Sequence, residues 1–429
     1  MSSLALEAGN LAGRPKASRS MKALSAVNFF LADVRDGLGP FLGVFLIGQG
    51  WGTDTIGYVL TIGGLAGMLA TTPLGVLADS TRAKRFMVAL CAVLVIVASL
   101  VILFAPTVPL VAASQIATGV AGAAIGPAIA SLTLGIVGQK GLAHQLGQNE
   151  AWNHGGNVFA AAGAGFFAYE FGLTAVFILM TVMAAGSIVA VMAIRPKDID
   201  HDAARGLERK AGDEAEGPSS FAILFRSAPL VILALTLFLF HFGNGALLPL
   251  LGQQVAAGGL EAEASASFLM NPAVYTSMTI IIAQLTMIPM ALLAAKIAGK
   301  RGYYLLLVAA LVAMPVRALI AGLWLNPYAV LPIQMLDGVG AGLLGVAVPG
   351  LVARILRGTG HVNAGLGAVM TVQGIGASLS PSLAGYVASA YGFSAAYLVL
   401  GAIAFAGLVL WLVSATRLSE ACAPGQEAG

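Results

Sequence analysis

The chain has 429 residues, of which 58% are hydrophobic and only 10% charged, with a formal net charge of +3. A soluble domain carries about 25% charged residues, so a water-soluble fold of this length could not cover its core. A polytopic helical membrane protein is expected instead, and the positive excess, spread over many short loops, gives no case for a nucleic-acid partner.

Residues 1–22 are polar and basic and read as a cytoplasmic tail without a cleavable signal peptide. At about 20 apolar residues per crossing, spans are predicted at 25–47, 55–78, 86–105, 110–137, 147–169 and 173–194. A break at 195–227 mixes Asp198, Asp200, Glu208 and Asp213 with basic residues, as a solvated cytoplasmic linker does. Further spans follow at 228–255, 272–295, 303–324, 328–353, 364–389 and 393–414. The expected organisation is a tail (1–22), a six-helix bundle (23–194), the linker (195–227), a second bundle (228–414) and a C-terminal cytoplasmic tail (415–429). Trp51, Trp152, Trp324 and Trp411 fall at or near span ends, where interface anchoring is the expected role. Cys91 and Cys422 lie in an apolar span and a polar tail, so no disulfide or metal cluster is expected.

All but two of the 22 Lys and Arg residues fall in alternate gaps between spans, while the intervening gaps carry only acids such as Asp54, Glu170 and Glu261. Short basic loops resist translocation, which makes that side cytoplasmic. The chain then crosses the cell (inner) membrane an even number of times with both termini inside. The exceptions, Arg35 and Arg317, sit within spans.

The halves repeat one another. Gly147, Gly156, Gly165, Gly172 and Phe177 match Gly367, Gly376, Gly385, Gly392 and Tyr397 at a constant spacing of 220 residues. Gln115, Gly119, Val120 and Gly126 match Gln334, Gly338, Val339 and Gly345 at 219, and Pro40 and Gly43 match Pro249 and Gly252. Equivalent spans run the same way, so the halves are parallel repeats about an axis along the membrane normal.

The loop Gly75-Val76-Leu77-Ala78-Asp79-Ser80-Thr81-Arg82-Ala83-Lys84-Arg85 resembles the signature loop of the major facilitator superfamily, Gly-x-Leu-Ala-Asp-x-x-Gly-Arg-Lys/Arg. Arg82 stands in place of the motif's second glycine and Ala83 in place of its Arg. The twelve-span plan and central linker extend the resemblance over nearly the whole chain. It implies an all-α membrane protein of twelve transmembrane helices in two six-helix bundles related by a pseudo-two-fold, and a gating role for Asp79, Lys84 and Arg85. The family's fourth-span Arg-x-x-x-Gly reads Gln115 ahead of Gly119, and the fifth-span glycines lack a Gly-Pro, whose proline appears only in the matching repeat as Pro381.

Polar groups inside spans are costly and mark transport paths. The first span holds Asp33, Arg35 and Asp36, expected to line a central cavity or to fasten that span to its neighbours. Gly37, Gly39 and Pro40 follow and should loosen the helix. The seventh carries His241, Asn244 and Pro249, either a proton relay or a histidine bonded to a nearby carbonyl. The fifth has Glu150, Asn153, His154 and Asn157 at helical spacing, with Glu150 near the cytoplasmic end as a gate or solvated residue. Asn153 and Asn157 lie deeper, with Gln373 as the repeat mate of Asn153; Gln115 joins the cavity set. Arg317 and Asp337, on consecutive antiparallel spans, can pair and are assigned to structure or gating.

No nucleotide-binding loop and no enzyme motif occurs. The expected function is therefore a secondary active transporter, not an enzyme, with no cofactor and no metal. It would move a small organic solute by alternating access, coupled to protons or another ion, with export favoured, as a monomer in the bilayer. Import of a small organic anion held by Arg35, or uncoupled facilitation, remains open at this stage.

Overall fold

The computed structural model describes residues 19–34, 38–201, 204, 227–260, 268–357 and 362–422, and every regular element among them is helical. In chain order the helices are α1 (Arg19–Val34), α2 (Pro40–Gly48), α3 (Thr53–Ser80), α4 (Lys84–Phe104), α5 (Val108–Phe171), α6 (Thr174–Ala193) and α7 (Ala228–Asn244). There follow α8 (Leu247–Ala256), α9 (Pro272–Arg301), α10 (Tyr304–Leu323), α11 (Val330–Ile355), α12 (Val362–Tyr391), α13 (Phe393–Val413) and α14 (Ala415–Cys422).

Nine segments among the described residues are long and apolar enough to cross a membrane. The other three predicted spans are helical but fail that criterion for physical reasons. The first is split into the 16-residue α1 and the 9-residue α2. The second arm of α5 and all of α12 are diluted by Asn, Gln, His and Ser. The expected loosening near Pro40 is thus a break, capped by Gly39 at φ 47°, a conformation that glycine adopts without steric cost.

Several expectations change. The gap between the predicted fourth and fifth spans is helical, and α5 is interrupted only at Gly138 (φ 64°, ψ 177°). The first helix begins at Arg19, inside the expected tail. Ser20 is fully buried there: its hydroxyl donates to the Asp198 carboxylate at 2.5 Å and accepts from the Arg195 amide at 3.1 Å. The expected C-terminal tail opens with α14, whose last carbonyl, on Cys422, accepts from the Tyr303 amide at 3.1 Å. Trp411 is no interface anchor, because it is fully buried and stacks on Tyr304 at 5.9 Å.

One core fills the C-terminal half, built on Leu233, Leu237, Leu311, Leu351, Leu400 and Trp411. The N-terminal half has two, one around Leu24, Val88 and Leu132 and one around Leu42, Phe45, Ile56 and Phe177. Backbones approach closely wherever repeated glycines stand. Gly156 packs on Phe29 of α1, and its mate Gly376 packs on Phe238 of α7. Gly119 meets Gly63 of α3, and its mate Gly338 meets Ala283 and Thr286 of α9. Small residues permit such approach in lipid, where dispersion supplies the attraction.

Among the described residues, the contacts between the halves gather toward one end. Pro381, Ser382 and Gly385 of α12 lie on Thr53, Gly57 and Thr61 of α3, with Thr53 Oγ1 donating to Gly385 O at 3.0 Å and the Ser382 amide donating to Thr61 Oγ1 at 3.1 Å. The mated contact sets Gly165 of α5 against Val274 and Ser277 of α9, and the Tyr169 and Phe268 rings lie 5.3 Å apart. Between them, α2 packs on α8 through Gly43 against Gln253 and Gly252 against Val44. This is the end remote from Arg85, Arg195, Arg301 and Arg354. Further toward the basic end, Met68 packs on Gly374 and His154 Nδ1 lies 2.8 Å from Gln284 Oε1. Beyond them Leu69 and Leu292 are exposed, and Gly75, Gly147 and Gly367 have nothing against them.

Candidate transport site

A cavity of about 330 Å³ lies in the C-terminal half, walled by Phe240, His241 and Asn244 of α7, by Leu344, Gly345, Val348 and Pro349 of α11, and by Leu366, Met370 and Gln373 of α12. A second, about 150 Å³, lies in the N-terminal half. Its walls are Asn28 and Leu31 of α1, Ile125, Gly126, Ile129 and Ala130 of the first arm of α5, and Leu146, Asn149, Glu150 and Asn153 of the second arm. The two are repeat mates. Leu146, Glu150 and Asn153 correspond to Leu366, Met370 and Gln373 at the spacing of 220, and Ile125, Gly126 and Ile129 to Leu344, Gly345 and Val348 at 219. Asn153 precedes His154 and Gln373 precedes Gly374, so both cavities begin just beneath these two cross-half contacts.

His241, Asn244, Asn153 and Gln373 therefore sit on cavity walls. Glu150, expected at a gate, is a wall residue of the N-terminal cavity. Asn157 lines neither; it donates to Asn153 Oδ1 at 3.4 Å. Gln115 also lines neither cavity. It sits with Gly63, Gly67, Thr71 and Thr118 in a groove between α3 and α5, where Gly63 packs on its backbone. Arg35 and Asp36 lie outside the described residues, as does the side chain of Asp33.

Arg317 and Asp337 do pair. The guanidinium is 1% exposed and the carboxylate 17%, and the same Nη1 donates to Asn244 Oδ1 at 3.0 Å. The pair thus stands directly behind a cavity residue. Asp79, Lys84 and Arg85 are engaged within the N-terminal half. Lys84 Nζ donates to the carbonyls of Ala78, Asp79 and Thr81 at 2.5, 3.2 and 2.9 Å, satisfying backbone acceptors that the end of α3 leaves open. Asp79 accepts from Ser131 Oγ at 3.0 Å, and Arg85 donates to the carbonyls of Val191 and Met192.

Sequence reasoning missed Asn28, Asn149 and Gln284. Asn28 and Asn149 are spent on local partners: Asn28 donates to Leu24 O at 2.9 Å, and Asn149 donates to Thr133 Oγ1 and accepts from Gln145, both at 3.0 Å. The repeat held an unused signal, since applying its spacing to Leu146 and Met370 pairs the two walls residue by residue. Outside the spans, burial pushes the Cys422 thiol up to about 11, with the Arg354 charge opposing.

Two mated helical bundles, sealed against each other at one end and hollowed by paired cavities beneath the seal, define a polytopic membrane transporter. The chain belongs to the major facilitator superfamily, whose family model matches residues 24–331. It is 39% identical over 397 residues, 92% of this chain and 93% of the other, to an uncharacterized MFS-type transporter of Mycobacterium tuberculosis, found alike in strains CDC 1551 / Oshkosh and ATCC 25618 / H37Rv. Solved structures share the fold at low identity. A mutant of the nucleoside transporter NupG superposes with a TM-score of 0.76 at 13% identity, covering 92% of this chain and 99% of that one. A bacterial homolog of the human lysosomal transporter Spinster, inward-facing and occupied, gives 0.68 at 14%, covering 97% and 100%.

Proposed function

We propose that this protein is a proton-coupled secondary transporter that exports a small organic solute by alternating access. One chain suffices, because a single monomer contains both cavities. The observation that carries the reading is the cavity pair beneath a layer closed at one end only. The basic loops make the open end cytoplasmic, with both termini inside. The molecule is then open to the inside.

Substrate would enter from the cytoplasm, and the layer built on Gly57, Gly165 and Gly385 would part as the basic end closes. In that motion Asp79, the exposed acid of the α3–α4 turn, would become available to the other half while Lys84 and Arg85 keep the turn rigid. Glu150, the mostly buried Asp337 and His241 supply titratable groups in or beside the walls, with Asp33 and Asp36 from the first span as further carriers. One charge moved through 100 mV is worth about 2.3 kcal/mol, enough to bias the rocking equilibrium.

The test is flux in proteoliposomes under an imposed pH gradient, using solutes that raise the melting temperature of the purified protein. Accumulation should follow the gradient and collapse in Asp337→Asn or in Asp33→Asn/Asp36→Asn. Flux that ignores the gradient and survives both variants overturns proton coupling.

A further inference from the structure

The mated walls differ in chemistry, and the difference specifies a ligand. At the position where Glu150 stands in the N-terminal cavity, the C-terminal cavity has Met370. The Glu150 carboxylate makes no hydrogen bond or ion pair among the described residues, whereas its wall neighbours Asn28 and Asn149 are committed to protein partners. Among the described residues, no Lys or Arg lines either cavity. Arg317 is offset by Asp337 and lies behind the wall. Asp33, Arg35 and Asp36 together carry one net negative charge.

The C-terminal wall is mostly apolar, with Phe240, Leu344, Val348, Leu366 and Met370. The flexible Met370 thioether adapts to irregular shapes. Glu150 is exposed toward the open end of its cavity, and a carboxylate there with no Lys or Arg beside it among the described residues attracts an incoming positive charge. Taking the cavity pair as the transport site, as the preceding reading does, we infer that the substrate class is an amphipathic organic cation. Its charged end sits at Glu150 and Asn153, and its apolar end spans the gap to the Leu366–Met370 wall. Gln373, opposite Asn153, can take a hydrogen-bonding group between the two ends.

The experiment compares two dyes built on one xanthene core, rhodamine 6G as the cation and fluorescein as the anion. Binding to the purified full chain in nanodiscs is read by fluorescence anisotropy. The cation should bind more tightly by a factor on the order of ten to a hundred, the worth of one charge-assisted contact. Glu150→Gln should remove most of that preference by weakening the cation alone, with the melting temperature as the folding control. Met370→Asn should weaken rhodamine 6G too, while leaving the preference over fluorescein in place. Equal affinities, a preference for fluorescein, no binding of rhodamine 6G, or a preference that survives Glu150→Gln overturns the inference. Because binding is read without flux, the two readings fail separately. A protein that binds the cation but moves nothing uphill refutes the coupled-transport reading, and one that exports anions but not cations refutes the charge preference alone.

Discussion

Gly385→Ala tests whether the closed layer is a gate. A methyl on Gly385 would fall well inside contact distance of the Thr53 carbonyl oxygen, with the carbonyl carbon at 3.0 Å and the Gly57 Cα at 3.2 Å. These are backbone atoms of the opposite half, so no side-chain rotation relieves the clash; α3 and α12 must separate. Forcing a methyl into a packed site costs about 1–3 kcal/mol. The cost falls only on the conformation in which the layer is closed. The gain in helix propensity from Gly to Ala is common to both conformations and cancels between them. A bias of about 2 kcal/mol moves a two-state equilibrium by roughly 30-fold toward the state open at this end. Gly156→Ala is the matched control, because its methyl would crowd Phe29 within the same half, with the Ala32 Cβ at 2.8 Å, in both conformations. It should lower the melting temperature without shifting the equilibrium. Spin labels at Arg82 and Lys300 report the basic end and labels at Gln49 and Tyr391 the other, in a background lacking Cys91 and Cys422. Gly385→Ala should shorten the first distance and lengthen the second. If it leaves both unchanged, or if Gly156→Ala shifts them equally, the layer is static packing and the reasoning fails.

Replacing either member of the Arg317–Asp337 pair alone leaves a buried charge and should cost about 3–5 kcal/mol, whereas Arg317→Met/Asp337→Leu should cost less than the sum of the two. Thermal unfolding of the single and double variants checks this, and additive losses would refute the coupling. Cys422, in a Cys91→Ala background, should label slowly with maleimide at pH 7.5, because the reactive species is the thiolate and burial has raised the thiol to about 11. Its folded value lies above the ordinary thiol value of 9.0, so its contribution to stability is complete below pH 9 and fades as pH climbs through the folded value. Rapid labelling at pH 7.5 would show that α14 does not dock on Tyr303.

The fold was readable because bilayer length and charge asymmetry act on whole segments. The family motif fell where the structure has the α3–α4 turn, and the spacing of 220 identified Gly156 and Gly376 before their contacts with Phe29 and Phe238 were visible. Residue roles were harder to read because facing is decided by neighbours. The resemblance assigns Lys84 a gating role, and its three carbonyl partners are contacts that no motif spells out. Gln115 matches a motif position but faces a groove, because glycines at 63 and 67 bring α3 against α5 there. Trp411 stands near a span end, but its face of α13 turns inward onto Tyr304.

The repeat is kept in one kind of position and lost in another. Gly119 and Gly338, Gly156 and Gly376, and Gly165 and Gly385 make mated backbone contacts in both halves. The first two pairs build the same bundle twice, and Gly165 with Gly385 builds the same contact on both sides of the seam between the bundles, which is where a rocking motion that exchanges one end for the other requires equivalence. At the cavity walls the mates diverge, Glu150 against Met370 and Asn153 against Gln373. A solute that touches both walls is itself without two-fold symmetry, so identical walls would waste half the available recognition. Equal glycines with unequal walls are therefore the pattern expected when motion is shared between the bundles and selectivity is divided between them. Swapping the pair, Glu150→Met with Met370→Glu, moves the charge to the other wall and leaves the glycine contacts untouched. The swapped protein should keep its conformational equilibrium by spin-label distances. Cation binding should survive in it if the two walls face one gap, and should be lost if they do not.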